Sequence, residues 1–355
     1  MHASNLVAAM KSLDSNLQFR GLGGQYSKDA GVHLALDYAA VSVMGFIEVV
    51  FGFRKVLKAL ALVKKDLLTF RPDALILIDF GGFNMKIAAY AKEQRIPVHY
   101  YIPPKVWAWN QNRAYSLKQN IDEIYSILPF EPAFFEKFGM KVHYVGNPLL
   151  DEIKKFKVHD FFYQKNELSF KPIVALLPGS RTQEIVGMLA KMIALVKDFQ
   201  QVQFVVAGVD SLPASVYKLA LAQGIRVIYN QTYDLLSHAT AAVVTSGTAT
   251  LETALFNVPQ IVVYRASWIS YQIAKRLIRV PYISLPNLIA DRQVVRELIQ
   301  DDFSSVNLKE ELNRLVSDAD YRIKMQDGYT QIRSRIGEFA ASEQTAQLIL
   351  ASEAS

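Results

Sequence analysis

Residues 241–252 read Ala241-Ala242-Val243-Val244-Thr245-Ser246-Gly247-Thr248-Ala249-Thr250-Leu251-Glu252, an apolar run, a turn of small residues and the opening of a helix. That is a strand, a βα turn and a helix N-terminus. Small side chains at Ser246, Gly247, Thr248 and Ala249 let a ligand approach the backbone. The free N–H groups and the positive end of the helix dipole favour an anion such as a phosphate. A nucleotide diphosphate is the natural guest, and an ordinary βα turn is the alternative for so short a motif.

The same grammar recurs along the chain. Upstream, the apolar run 173–177 ends in Pro178-Gly179-Ser180-Arg181, with Glu184 in the next helix. Downstream, Ser284-Leu285-Pro286-Asn287-Leu288 is followed by Arg292, Glu297 and Gln300. In the first half, 74–78 ends in Asp79-Phe80-Gly81-Gly82-Phe83-Asn84, and Tyr100 leads into Pro103-Pro104-Lys105-Val106-Trp107-Ala108-Trp109-Asn110-Gln111. Each segment follows a predicted strand, at the end where open parallel sheets hold their ligands.

Taken in order, these segments resemble the lipid-A-disaccharide synthase family. The matching motifs are VMGxxEV at 43–49, ID-x-x-x-FN at 78–84, P-x-VWAW-x-Q at 104–111 and LPFE at 128–131. They continue with VG-x-P at 145–148, LLPGSR at 176–181, SGTATLE at 246–252 and SLPNL at 284–288. The resemblance implies an inverting GT-B glycosyltransferase that joins UDP-2,3-diacylglucosamine to 2,3-diacylglucosamine 1-phosphate and releases UDP. It also implies a homodimer.

Strands alternate with helices twice over, at 19–22, 74–78, 98–101, 123–127 and 142–145, then at 173–177, 203–207, 226–229, 241–245 and 260–264. This predicts an α/β fold of two doubly wound, Rossmann-like domains facing a cleft, the default place for a ligand. The expected division is 1–150 for the acceptor and lipid side, 151–320 for the UDP-sugar, and 321–355 as a helical segment crossing back to the first domain. The length of 355 residues suits two cores. The resemblance further implies that a first strand and its Gly-rich loop precede Met1, so that the N-terminal domain lacks its first strand. A late-assigned start and a truncated, inactive UDP- or lipid-binding form are the two explanations.

The chain has no cysteine, which excludes disulfides, thiolate metal sites and a cysteine nucleophile. A net charge of +6 favours anionic partners, among which nucleic acid has no recognisable module here. The longest nearly apolar run, 39–53, is interrupted by Glu48 and is too short to span a membrane. Nor is there a secretory signal at the amino end. The expected location is cytoplasmic, peripheral to the inner membrane. The contact would run from Phe46 to Lys65, with Phe46, Ile47, Val50, Phe53, Leu57 and Leu60 beside Arg54, Lys55, Lys58, Lys64 and Lys65. A core helix with a solvated basic face is the alternative.

Sugar transfer needs a base for the acceptor hydroxyl and positive or N–H character at the departing diphosphate. Asp79 is the candidate base for the acceptor's 6-hydroxyl, against a reading as a turn or helix-capping aspartate. Arg181, with Gly179 and Ser180, is the candidate diphosphate ligand. Glu252 would accept from the ribose hydroxyls, or else only stabilise the helix dipole. Asn287 is expected on the nucleotide, with Glu184, Arg292, Glu297 and Gln300 in support. Trp107, Trp109 and Gln111 line an acceptor wall or pack a core. Asp318-Ala319-Asp320 resembles a metal-binding D-x-D but falls in a helix or its cap, so no metal or cofactor is expected. Asp291-Arg292 departs from the family's usual Gly-Arg. A UDP-sugar 2-epimerase is the alternative enzyme.

Overall fold

The computed structural model describes residues 1–37, 48–278 and 280–354. The chain divides into two compact units, Met1–Asp151 with Glu338–Ser355, and Glu152–Gly337. In the first, β1 (Phe19–Gly23) pairs in parallel with β2 (Val32–Asp37). A separate parallel sheet runs β3 (Leu75–Ile78), β4 (Val98–Tyr101), β5 (Glu123–Ser126) and β6 (His143–Tyr144) in that order. Parallel neighbours need crossovers, supplied by the helices Gly81–Glu93 and Arg113–Asn120 among others.

One face of this sheet packs Leu77, Phe83, Ile87, Tyr100 and Ile124 into a core with Leu60 and Leu67 of the helix Glu48–Phe70. The other packs Tyr101, Tyr125 and Val145 with Leu6 and Met10 of the helix His2–Leu13 and Ile349 of the helix Ala341–Glu353. Leu22 and Leu36 join the first core, and Phe19 the second beside Ile76 and Ile78. The β1–β2 pair therefore lies between the same two helix layers as the larger sheet, although β1 and β3 are not hydrogen-bonded to each other. His99, on β4, is buried between the Tyr125 hydroxyl at 2.9 Å and Glu353 at 2.7 Å.

In the second unit β7 (Ile173–Leu177), β8 (Gln203–Gly208), β9 (Arg226–Tyr229), β10 (Ala239–Thr245), β11 (Gln260–Tyr264) and β12 (Arg296–Ile299) are all parallel. Their spatial order is β12-β11-β10-β7-β8-β9. The chain leaves β7 in one direction and returns beside it as β10, with Leu177 opposite Val244. That reversal is the topological switch point, where loops diverge and leave a crevice.

Two strands, β2 and β12, have no counterpart among those expected from sequence. β12 begins with two charges, and the structure gives each a partner: Arg296 meets the buried Glu311 and Glu297 caps a neighbouring loop. The stretch from 321 onward, expected as one segment, is two helices. Ala319–Ile336 packs in the second unit, where Arg333 donates to the Leu255 carbonyl and Arg335 to that of Ile289. Gly337, at φ +72°, ends it, and Ala341–Glu353 belongs to the first unit.

Of the expected lipid-facing surface, Phe46 and Ile47 lie outside the described residues, as do the side chains of Val50 and Phe53. Residues 43–47 of the VMGxxEV segment fall in the same gap. Leu60, expected on that surface, is instead in the core, and Lys64 lies over the Tyr90 ring. The exposed face of the helix Glu48–Phe70 carries Arg54, Lys55, Leu57, Lys58, Leu62 and Lys65. No described helix is long and apolar enough to cross a membrane.

Candidate functional site

The switch point of the second unit brings two of the sequence-derived turns together. Gly179, Ser180 and Arg181 follow β7, and Ser246, Gly247, Thr248 and Ala249 follow β10. Each turn opens a helix, Thr182–Ile193 and Thr248–Leu255, whose first-turn N–H groups lack intrahelical acceptors. Gly179 has φ +115°, and a Cβ there would stand 2.7 Å from a Glu184 carboxylate oxygen. Glu184 accepts from the Ser180 N–H at 3.2 Å and from Arg181 at 2.7 Å. It thus occupies two donors of the candidate diphosphate site. The Arg181 side chain is 79% exposed, so this ion pair is worth at most about 1 kcal/mol and is easily exchanged.

Glu252 lies one turn into its helix, half-buried, with Oε1 accepting from the Tyr233 hydroxyl at 2.9 Å. Burial pushes its carboxyl above the usual range, and the Tyr233 hydrogen bond pulls it part of the way back. The Tyr233 ring is held edge-on by Phe156 and tilted against Phe256, with centroids 5.5 and 4.9 Å away. Nothing in the sequence singles out Tyr233, which reaches Glu252 from the separate helix Thr232–His238.

Asn287 is placed differently from the expectation. It is fully buried, its amide donating to the Val295 carbonyl and to Glu297, both at 2.9 Å. Its oxygen accepts from the N–H groups of Val294 and Val295 at 2.7 and 2.9 Å. Both amide hydrogens and the oxygen are engaged, so the Asn287 side chain is spent on building the loop. Glu297 completes the framework by accepting from the N–H groups of Ile283 and Ser284 and from the Ser284 hydroxyl. Ser246 ties the 246–249 turn to it, its hydroxyl donating to the Ile283 carbonyl at 2.9 Å.

The two second-line groups beyond that framework also turn inward or away. Gln300 brackets the Ala266 N–H and carbonyl, and Arg292 turns to Gln331 at 2.7 Å. Asp291 takes the left-handed position that ends the helix Leu285–Ala290, at φ +52°. Gly is the usual occupant of such a position and Asp one of the few tolerated replacements, which accounts for Asp291-Arg292 standing in place of Gly-Arg.

In the first unit Asp79 ends β3 in an unusual backbone. Asp79 and Phe80 both adopt the left-handed region, at φ +47° and +48°. Two consecutive non-glycine residues there cost of order 1–3 kcal/mol each and persist only where the surroundings impose them. The Asp79 carbonyl accepts from Asn84 Nδ2 and from the Tyr100 hydroxyl, both at 2.7 Å. A Cβ at Gly81 would stand 2.7 Å from Pro104 Cβ, so the turn also rests directly on the next loop. The Asn of the ID-x-x-x-FN segment is thereby explained as a clamp on the kinked turn. The helix cap position falls on Phe80, with no side-chain cap, so Asp79 is not a capping residue. Its carboxylate is exposed and, among the described residues, has no hydrogen-bond or ion-pair partner.

The tryptophans of the following loop divide. Trp107 is buried, donates to Glu131 Oε1 at 3.0 Å and stands edge-on to Phe130 at 4.9 Å, so it packs the core. Burial pushes the Glu131 carboxyl up to about 7 against the hydrogen bonds from Trp107 and the Leu128 N–H. Trp109 is 46% exposed, and Gln111 donates back to the Trp107 carbonyl at 3.2 Å. Asp318 of the D-x-D accepts from the Tyr321 N–H at 2.9 Å as a helix cap.

A sequence model of the family described as Lipid-A-disaccharide synthetase matches residues 1–351. The chain belongs to the lipid-A-disaccharide synthase family. The lipid-A-disaccharide synthase of Syntrophus aciditrophicus is 36% identical to it over 362 residues, covering 99% of this chain and 94% of its own. That membership places the protein among the glycosyltransferases of lipid A biosynthesis.

Among solved structures, a putative UDP-N-acetylglucosamine 2-epimerase from Listeria monocytogenes is similar with a TM-score of 0.63 at 14% identity, covering 98% of this chain and 91% of its own. MurG of Acinetobacter baumannii is similar with a TM-score of 0.60 at 15% identity, covering 99% and 96%. At such identity these likenesses speak for the fold alone, two Rossmann-like domains of the GT-B kind.

Proposed function

We propose that the protein condenses UDP-2,3-diacylglucosamine with 2,3-diacylglucosamine 1-phosphate, giving the β-1,6-linked disaccharide 1-phosphate and UDP with inversion. The observation that carries this reading is the exposed Asp79 carboxylate, without a hydrogen-bond or ion-pair partner among the described residues and held at the end of β3 by a strained turn. The acceptor 6-hydroxyl oxygen bonds to the donor's anomeric carbon as the bond from that carbon to the diphosphate breaks. The proton passes to Asp79 and the electron pair leaves with UDP. Arg181, Ser180 and the 246–249 turn receive the developing charge, and Glu252 holds the ribose. Asn287 and Glu297 keep the loops around this cradle in place. Direct displacement asks for one base and no covalent nucleophile.

The same reading locates the work at the cytoplasmic face of the inner membrane. The exposed Leu57 and Leu62, interleaved with Arg54, Lys55, Lys58 and Lys65, suit an acidic lipid surface.

The test supplies the purified protein with both acylated sugars in neutral detergent. One UDP should appear per disaccharide, followed by a UDP-coupled assay and mass spectrometry. Epimerisation of the donor without an acceptor would replace the transferase by an epimerase-like reading. UDP binding with no turnover would leave only a binding protein.

A further inference from the structure

The first unit holds a cation for which the transfer reaction has so far given no task. Arg113 opens the helix Arg113–Asn120 and is half-buried. Among the described residues no carboxylate pairs with its guanidinium and no hydrogen bond engages it. The other half-buried arginines described are all satisfied. Arg296 and Arg314 lie on Glu311, and Arg322 donates to the carbonyls of Leu315 and Val316. A half-buried guanidinium without a partner is costly unless an anion visits it.

Its surroundings say which anion. The guanidinium lies 5.8 Å from the ring centroid of the exposed Trp109. Trp109 belongs to the loop that rests through Pro104 on Gly81, two residues from Asp79. Tyr100 joins the two ends, because its hydroxyl donates to the Asp79 carbonyl at 2.7 Å. Its phenol, pushed up chiefly by burial, also feels the charges of both Asp79 and Arg113. An unpaired base and an unpaired cation thus flank one phenol, with an open indole beside the cation. A guanidinium fork matches the oxygens of a phosphate, and an exposed indole suits the apolar face of a sugar ring.

We propose that Arg113 binds the phosphate monoester of the acceptor sugar, so that a phosphate at one end of the ring sets the hydroxyl at the other end against Asp79. This rests on the transfer reaction proposed above. Arg113 is then the residue that selects a phosphorylated acceptor.

The experiment compares wild type, Arg113→Ala and Arg113→Lys on two acceptors, with and without the anomeric phosphate, in uncharged detergent. Wild type should prefer the phosphorylated acceptor. In Arg113→Ala the KM for that acceptor should rise about 10- to 100-fold, the loss expected for charge-assisted hydrogen bonds, and the preference should vanish. The KM for the UDP-sugar and turnover of the unphosphorylated acceptor should not change, and Arg113→Lys should recover part of the preference. Equal losses on both acceptors, or none, would overturn the assignment. So would an effect seen only when anionic lipid vesicles replace the detergent, because Arg113 would then serve a lipid headgroup. Calorimetry with a water-soluble hexosamine 1-phosphate separates this from failure of the reaction itself. Binding that weakens in Arg113→Ala upholds the site even where no disaccharide forms, and equal binding removes it.

Discussion

The βα turns of the two units solve opposite problems. In the second unit the turn after β10 is braced from inside: Ser246 bonds the Ile283 carbonyl, Thr250 returns to the Gly247 carbonyl, and Glu252 is held by Tyr233. In the first unit the turn after β3 is strained, with Asp79 and Phe80 both left-handed, and among the described residues the Asp79 carboxylate has no partner. A ligand cradle gains from being finished before the ligand arrives, because little ordering is then left to oppose binding. A reacting carboxylate gains from having nothing else to bond, and the backbone strain is the cost of aiming it. On the proposed reading, one unit holds and the other acts.

The sharpest way to break that contrast is Asp79→Asn. It keeps the shape and tolerates the left-handed backbone, but it removes the base. Turnover should fall at least about 10²-fold while UDP affinity stays within error, read by steady-state kinetics and calorimetry. The thermal midpoint should not fall, since no described residue bonds to the carboxylate. A variant with wild-type turnover and a lowered midpoint would make Asp79 a structural residue.

How much of this was legible in the sequence follows the same division. The two turns at the switch point could be placed because small residues after an apolar run mark a tight βα turn: Gly179, Ser246, Gly247, Ala249. Ten strands were visible, most plainly β7, β8, β10 and β11, which are apolar runs because parallel strands covered on both faces are apolar on both. β12 was hidden because Arg296 and Glu297 look like loop residues until Glu311 and the 283–287 loop are seen beside them. Asn287 was legible as important but not as to why, since four hydrogen bonds with the segment 294–297 decide that it points inward. The strain at Asp79-Phe80 was not legible at all. No propensity marks a phenylalanine for a left-handed site, and Asn84, Tyr100 and Pro104 come from three different segments. Tyr233 and Arg113 were missed for the same reason, because what distinguishes them is a partner, or the lack of one, in three dimensions.

On the cradle side the expected losses are in binding. Arg181→Ala should weaken UDP by about 1.5–3 kcal/mol, the usual worth of hydrogen bonds to a charged group, with the fold intact. Removing the Glu184 ion pair with it offsets little, because that pair is exposed and weak. Calorimetry with UDP checks both the size and the sign. Unchanged affinity would mean that Glu184 keeps Arg181 in the bound state, and that the helix N-termini alone receive the diphosphate.

The smallest and most discriminating effect belongs to Tyr233→Phe. The ring packing against Phe156 and Phe256 survives, so what is lost is one hydrogen bond to Glu252, worth about 0.5–1.5 kcal/mol. That bond pulls the Glu252 carboxyl down against the burial that raises it, so its loss moves the carboxyl further up. On the proposed reading the ribose hydroxyls donate to Glu252, and they bond its charged form more strongly than the neutral one. UDP affinity should therefore fall as pH is lowered, beginning at a higher pH in the variant than in wild type. Stability moves the other way. A carboxyl whose folded pKa lies above its unfolded value contributes stability that is complete below the unfolded value and is lost as pH rises through the folded one. In Tyr233→Phe that loss should extend to higher pH, and the thermal midpoint should drop relative to wild type mainly on the alkaline side. Calorimetric titrations and melts over the same pH series would read both signs. Parallel curves for the two proteins would show that Tyr233 only fills space, and that the cradle is no better braced than the turn at Asp79.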